Sequence, residues 1–207
     1  MRYTNRNLFM TIMLPAAFLL FKVDAHATNI VANPGFETGD FTSWTASSGF
    51  SWFVDVSAFG INGPHSGNSF AGNLCVGSNC ITTPTSFFYQ DLPTVNGQTY
   101  TLTFWFDLGT CQDTCGPEEL KVLWGGNTAF DLATTTSGIT DPGWVEATVS
   151  GLQATSTTMR LEFVGRQDPA ALGVDDIQVQ GVPEPGTILL VGLGAVGLAT
   201  LRKRVRQ

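Results

Sequence analysis

Between residues 28 and 181 apolar and polar positions alternate with period two, and no long stretch repeats apolar residues at helical spacing. Positions 98–107, QTYTLTFWFD, are the clearest case. Thr99, Thr101 and Thr103 face one way, and Tyr100, Leu102 and Phe104 the other, the pattern of a half-buried strand. Further strands are predicted near 29–32, 51–57, 85–92, 120–124, 128–132, 144–149, 158–164 and 174–179. Gly125-Gly126-Asn127 between two of them signals a hairpin, and the clusters 94–97 and 141–143 mark turns. Eight or more short, evenly spaced strands predict a β-sandwich or barrel in one domain.

The two ends follow different patterns. Arg2 and Arg6 precede an apolar run over 8–21, and Ala25-His26-Ala27 places small residues where a signal peptidase reads. That is a secretory signal, residues 1–27, with cleavage expected after Ala27; Pro15 argues against a buried helix. At the other end Val182-Pro183-Glu184-Pro185-Gly186 leads into an uncharged run over 187–201 and then Arg202, Lys203, Arg204 and Arg206. A helix over that run reaches about 22 Å, short of a ~30 Å hydrocarbon core. Snorkelling basic side chains and local thinning make up the difference. The cationic end is expected to stay cytoplasmic while the domain is translocated.

These C-terminal residues, 182–207, resemble the PEP-CTERM sorting signal of Gram-negative bacteria, with Pro183, Glu184 and Pro185 as its motif. The resemblance implies an exosortase-type processing enzyme as partner, transient anchoring in the inner membrane, and a cell surface or matrix that contains exopolysaccharide. Gly192-Leu193-Gly194-Ala195-Val196-Gly197 matches the dinucleotide fingerprint but lacks the flanking strand and the downstream acid that the fingerprint needs, so it is read as part of the apolar span.

Charge and cysteine change the picture once the ends are set aside. Of ten basic residues only Lys121, Arg160 and Arg166 lie within 28–181, against fifteen of the seventeen acidic ones, giving 3 − 15 = −12. Such a domain offers no footprint for a phosphate backbone, which excludes nucleic acid as a partner. Cys75, Cys80, Cys111 and Cys115 all fall inside the domain. In an oxidising compartment an even count reads as two disulfides, and C-x4-C with C-x3-C spacing alternatively offers four thiolates to zinc. Export favours disulfides. Local pairing, Cys75 with Cys80 and Cys111 with Cys115, closes most easily, with a crosswise arrangement as its rival.

A second resemblance runs through Asn33-Pro34-Gly35-Phe36-Glu37, Trp44, Ser66-Gly67-Asn68-Ser69, the 98–107 strand and Val174-Asp175-Asp176-Ile177. Their order is similar to the galactose-binding-like jelly roll of carbohydrate-binding modules. It implies a jelly-roll β-sandwich and a structural calcium ion held by the side chains of Glu37 and Asp175 and the carbonyls of Gly35, Ser66 and Ser69. The competing reading makes these acids ordinary turn and edge residues. Asp175 and Asp176, as neighbours on a strand, are expected to point to opposite faces and not to act as a pair.

Five tryptophans raise the question of a sugar platform. Most are expected in the core, with Trp52 and Trp124, nearest the predicted loops, as the candidates for ligand contact. Catalysis has little support. His65 is the domain's only histidine and is expected to be a solvated loop residue, while Glu118 and Glu119 are adjacent, which does not suit two carboxylates flanking one glycosidic bond. The sequence therefore predicts a non-catalytic, exported module that binds extracellular polysaccharide. The alternatives are a structural or adhesive matrix protein contacting protein partners and a glycan hydrolase.

Overall fold

The computed structural model describes residues 28–47, 52–58, 60–61, 63–74, 86–109, 118–134, 143–167, 171–183 and 194. The expected signal peptide, the four cysteines and all of the C-terminal tag but 182, 183 and 194 lie outside these, Pro183 being exposed.

The described residues form ten strands: β1 Thr45–Ala46, β2 Trp52–Asp55, β3 Phe70–Asn73, β4 Phe87–Pro93, β5 Thr99–Asp107, β6 Glu118–Trp124, β7 Asn127–Thr134, β8 Val145–Gln153, β9 Thr158–Arg166 and β10 Leu172–Gly181. They pair antiparallel in two five-stranded sheets, sheet A in the order β1-β4-β9-β6-β7 and sheet B in the order β2-β3-β10-β5-β8. This is the jelly-roll sandwich that the alternation and the resemblance predict. The β6–β7 turn holds Gly125 at φ 57° and Gly126 at φ 82°, both left-handed as a two-residue hairpin turn of the right twist requires.

Inward-facing side chains of the two sheets interdigitate. Leu102, Phe104, Leu120, Val122, Leu161 and Phe163 are fully buried. The core is unusually aromatic: Phe88 stacks on Phe163 at 4.9 Å between centroids and meets the edge of Trp52 at 4.6 Å, and Phe104 meets Phe163 at 5.3 Å.

Three elements depart from the expected pattern, among them the two-residue strand β1, Thr45–Ala46, which no expected strand covers. Residues 29–32 form no strand; they dock along β10 through the Asn29 side chain, which bridges Ile177 and Val179, and one backbone bond from Ile30 to Val179. β3 escapes the alternation test because all four of its residues are buried. Its outer face at Gly72 is covered by the Phe53 ring, which would lie 2.5 Å from a Cβ there, and Asn73 is buried with its amide donating to Ser86 Oγ at 2.7 Å.

Candidate functional site

The first element of the site is a tight turn over residues 33–38. Asn33 Nδ2 donates to Thr38 Oγ1 and to the carbonyls of Asp40 and Thr42, so one amide organises the whole loop. Phe36 sits at φ 57°, a costly conformation for an aromatic residue. It is held there because its ring is fully buried against Trp44 and Phe88. Anchoring Phe36 turns Glu37 outward toward residues 67–69. Glu37 then accepts hydrogen bonds from the backbone N–H groups of Asn68, at 2.9 and 3.0 Å, and Ser69, at 3.1 Å. The Asn68 N–H is the main reason its carboxyl lies below the ordinary glutamate range.

The last strand supplies the second element. Asp175 is fully buried, yet its carboxylate accepts from the N–H groups of His65 at 2.9 Å, Ser66 at 3.2 Å and Asp176 at 2.8 Å. Burial pushes its pKa up from 3.8 to about 7, and the neighbouring Asp176 charge adds to the rise while the Ser66, Asp176 and His65 amides oppose it. The 65–69 loop is thus pinned from two sides, by Glu37 from the N-terminal turn and by Asp175 from β10.

Asp176 corrects the expectation that it turns away from Asp175. The register between β10 and β5 shifts between Asp175 and Gln178, and Asp176 adopts φ 50°. This bulge releases the Ile177 N–H to the carbonyl of Pro34 at 3.0 Å and swings Asp176 back to the same side. Its carboxylate receives Ser66 Oγ–H at 2.8 Å and lies 2.6 Å from His65 Nδ1. His65 likewise is no free loop residue: its ring stacks on Trp105 at 3.8 Å and 12°. A Cβ on Gly35 would stand 3.4 Å from an oxygen of each aspartate, and one on Gly67, at φ 65°, only 2.2 Å from Glu37 Oε1. Both glycines are the space into which carboxylates close.

The structure places Gly35, Glu37, Ser66, Ser69 and Asp175 around the 65–69 loop, and adds Asp176 and His65, which strand alternation concealed. Among the described residues no three acidic, histidine or cysteine side chains gather around a single point as a metal cluster.

The tryptophan candidates are corrected. Trp52 is 3 % exposed and Trp124 5 %, so neither offers a ring face to a ligand. Both point inward from their strands, Trp52 onto Phe88 and Trp124 beside Tyr100 with its indole N–H donating to the Gln153 carbonyl at 2.8 Å. Trp124 contributes only a wall, with Asn127, Leu152, Gln153 and Met159, to an open cavity of about 270 Å³ at the β6–β7 end. The tryptophans on the outside of the domain are Trp105 and Trp144, half-buried under the 63–69 loop, with Trp144 Nε1 donating to the Gly63 carbonyl.

Comparison with known proteins follows this geometry. The PEP-CTERM protein-sorting motif matches residues 181–204. No curated protein matches the sequence. TmCBM61, whose structure was solved with β-1,4-galactotriose, superposes with a TM-score of 0.52 at 20% identity over 75% of this chain and 100% of its own. The N-terminal CBM22-1-CBM22-2 tandem domain of Paenibacillus barcinonensis Xyn10C gives 0.51 at 14% identity, over 75% of this chain and 46% of the tandem. A cleaved adhesin domain of Lys-gingipain from Porphyromonas gingivalis gives 0.50 at 20% identity, over 72% and 96%. At these identities the likeness is one of fold. The chain is a jelly-roll β-sandwich, of the fold seen in carbohydrate-binding modules, followed by the PEP-CTERM motif of an exported protein sorted to the cell envelope.

Proposed function

We propose that this chain is a non-catalytic carbohydrate-binding protein of the cell surface or extracellular matrix, delivered there through its C-terminal motif and engaging extracellular polysaccharide. The observation that carries this is the fold itself: 75% of this chain superposes on the whole of a module solved with a bound oligosaccharide, and a sorting motif matches residues 181–204. A glycan array probed with the full chain tests the proposal. Retention on a defined set of glycans is expected, and uniform absence of signal favours a structural matrix role instead.

We further propose that the Glu37–Asp175 cluster holds a structural calcium ion. The donors are all hard oxygens, as calcium prefers. Asp175 is a fully buried carboxylate with a second one beside it, an arrangement that a cation relieves. No hydrogen bond to the carbonyls of Gly35, Ser66 or Ser69 is seen among the described residues, so these oxygens are available. Glu37 and Asp175 would supply carboxylate oxygens, which retain lone pairs beyond those their amide partners use. Differential scanning fluorimetry tests this: calcium at a hundredfold excess over Kd should stabilise by about 2.7 kcal/mol relative to chelator. Asp175→Ala should abolish the response, and a melting curve indifferent to calcium and chelator overturns the site.

A further inference from the structure

The two outer faces of the sandwich differ. Sheet B carries residues 63–69 over it, with Ile61, Phe70 and Trp144 forming a small second core there. Sheet A is open to solvent at its centre, where Arg160 and Asp91 expose 43% and 47% of their side chains. Alternation along β4, β9 and β6 sends Tyr89, Asp91, Arg160, Glu162, Lys121 and Leu123 to this face. The registers Tyr89↔Glu162, Asp91↔Arg160 and Leu123↔Glu162 set them side by side.

Three features suggest a ligand. First, the polar groups are tied to one another and only partly used. The Arg160 guanidinium lies 3.6 Å above the Tyr89 ring centre and forms a fork onto Asp91, Nε to Oδ1 at 2.8 Å and Nη2 to Oδ2 at 3.0 Å. Two of its five N–H donors are spent, and three remain for a ligand. Second, Glu162 at the centre of the sheet and the Tyr89 hydroxyl accept no hydrogen bond from any described residue, and burial holds the Glu162 carboxyl above the ordinary glutamate range. A half-desolvated acceptor beside unspent donors suits a partner that offers both on adjacent atoms. Third, all three cations of residues 28–181 fall on this one face, yet each is paired: Arg160 with Asp91, Lys121 with Asp131 at 3.4 Å, and Arg166 with Glu119 at 3.9 Å. With Glu162 the face sums to 3 − 4 = −1, close to neutral on a domain of 3 − 15 = −12. A polyanion finds no free positive charge here, and a polycation no concentrated negative charge.

We propose that the outer face of sheet A, centred on Glu162 and flanked by Tyr89, Arg160 and Leu123, binds a stretch of neutral polysaccharide. This rests on the carbohydrate-binding reading and assigns it a place and a ligand class. Vicinal hydroxyls of a sugar donate to Glu162 and accept from Arg160, while Leu123 and Phe87, which lies 6.0 Å from Tyr89 between ring centres, meet the apolar faces of the rings. The face from β4 to β7 is about 14 Å across at the usual strand spacing. It is flat and open-ended, so it fits an internal segment of a chain better than a single terminal sugar.

Affinity gel electrophoresis of the full chain tests the assignment, with β-1,4-galactan, xylan and dextran as neutral probes and alginate as the polyuronate control. Retardation by at least one neutral polymer is expected, unchanged by 0.5 M salt. Tyr89→Ala should weaken it about tenfold and Glu162→Gln about fivefold, each the loss of roughly one good contact. Glu162→Gln is isosteric and breaks no hydrogen bond to a described residue, so it should keep the melting temperature, and its result stands even if Tyr89→Ala loosens the sheet. Wild-type binding that both variants retain in full overturns this site and moves attention to the cavity beside Trp124, leaving the carbohydrate-binding reading in place. Salt-sensitive binding to alginate alone overturns the neutral class. No retardation by any probe overturns the carbohydrate-binding reading and the platform together.

Discussion

Asp175 gives the sharpest quantitative prediction. Its carboxyl titrates near 3.8 in an unfolded chain and at about 7 in the folded domain, because burial disfavours the charged form. Between those values the folded state keeps a proton that the unfolded state has lost, so stability must fall as pH rises. The contribution is fully present below about pH 4 and lost through pH 7. At about 1.4 kcal/mol per pH unit the whole change is about 4 kcal/mol, of which roughly 2.5 kcal/mol falls between pH 5 and pH 7. For a domain of this size that lowers Tm by about 5–10 °C. Glu162 on sheet A is also raised by burial and adds a slope of the same sign, which comparison with Asp175→Asn separates from that of Asp175. Glu37, Asp40 and Asp91 are lowered by hydrogen bonds from Asn68, Thr42 and Arg160 respectively, so their contributions are lost only as pH falls below the ordinary carboxylate range.

The assay is thermal unfolding in chelator at pH 5, 6 and 7. Asp175→Asn removes the titrating group while keeping its shape. It loses at least one of the three amide hydrogen bonds, from His65, Ser66 or Asp176, so its stability at pH 5 should drop by about 1–3 kcal/mol, but most of the slope from pH 5 to pH 7 should disappear. Saturating calcium should flatten the wild-type slope as well, since a bound cation takes the place of the proton. A wild-type profile that is flat in chelator, or a slope that survives undiminished in Asp175→Asn, would refute the reasoning.

Gly67→Ala should destabilise by about 2 kcal/mol or more, because the residue sits at φ 65° and its Cβ would meet Glu37 Oε1 at 2.2 Å; chemical denaturation measures this, and a change within 0.5 kcal/mol contradicts the clamp. Trp52→Ala should cost about 3–5 kcal/mol of stability while leaving glycan affinity per folded molecule unchanged, since the ring packs on Phe88 inside the sandwich. Trp124→Phe should cost about 1 kcal/mol through loss of its bond to the Gln153 carbonyl.

Much of the fold was legible because the strands that bury one face announce it. β5 reads as alternation in the sequence and, up to Phe106, in its burial, and Gly125-Gly126 marks the β6–β7 hairpin by the left-handed backbone that only glycine adopts freely. β3 was hidden because Phe53 closes over Gly72 and leaves no polar face to alternate. The pairing of Asp175 with Asp176 was hidden for a related reason: a bulge cancels the rule that neighbours diverge, and nothing in Val174-Asp175-Asp176-Ile177 signals it locally. Proximity to loops misplaced Trp52 and Trp124, because residues at strand ends still point inward when their parity does. The sheet A platform was invisible in sequence because Tyr89, Arg160 and Leu123 come from three strands, and only the register makes them neighbours.

The central claim, an exported domain that binds carbohydrate, is tested most directly by calorimetric titration of the mature protein, recovered from its host's surface, with that host's own extracellular polysaccharide. A few sugar contacts worth about 1 kcal/mol each, set against the cost of association, predict a Kd on the order of 10 μM to 1 mM. Ionic strength should change it little, because every cation on the binding face is already paired. Titration to millimolar sugar that releases no heat would contradict the account.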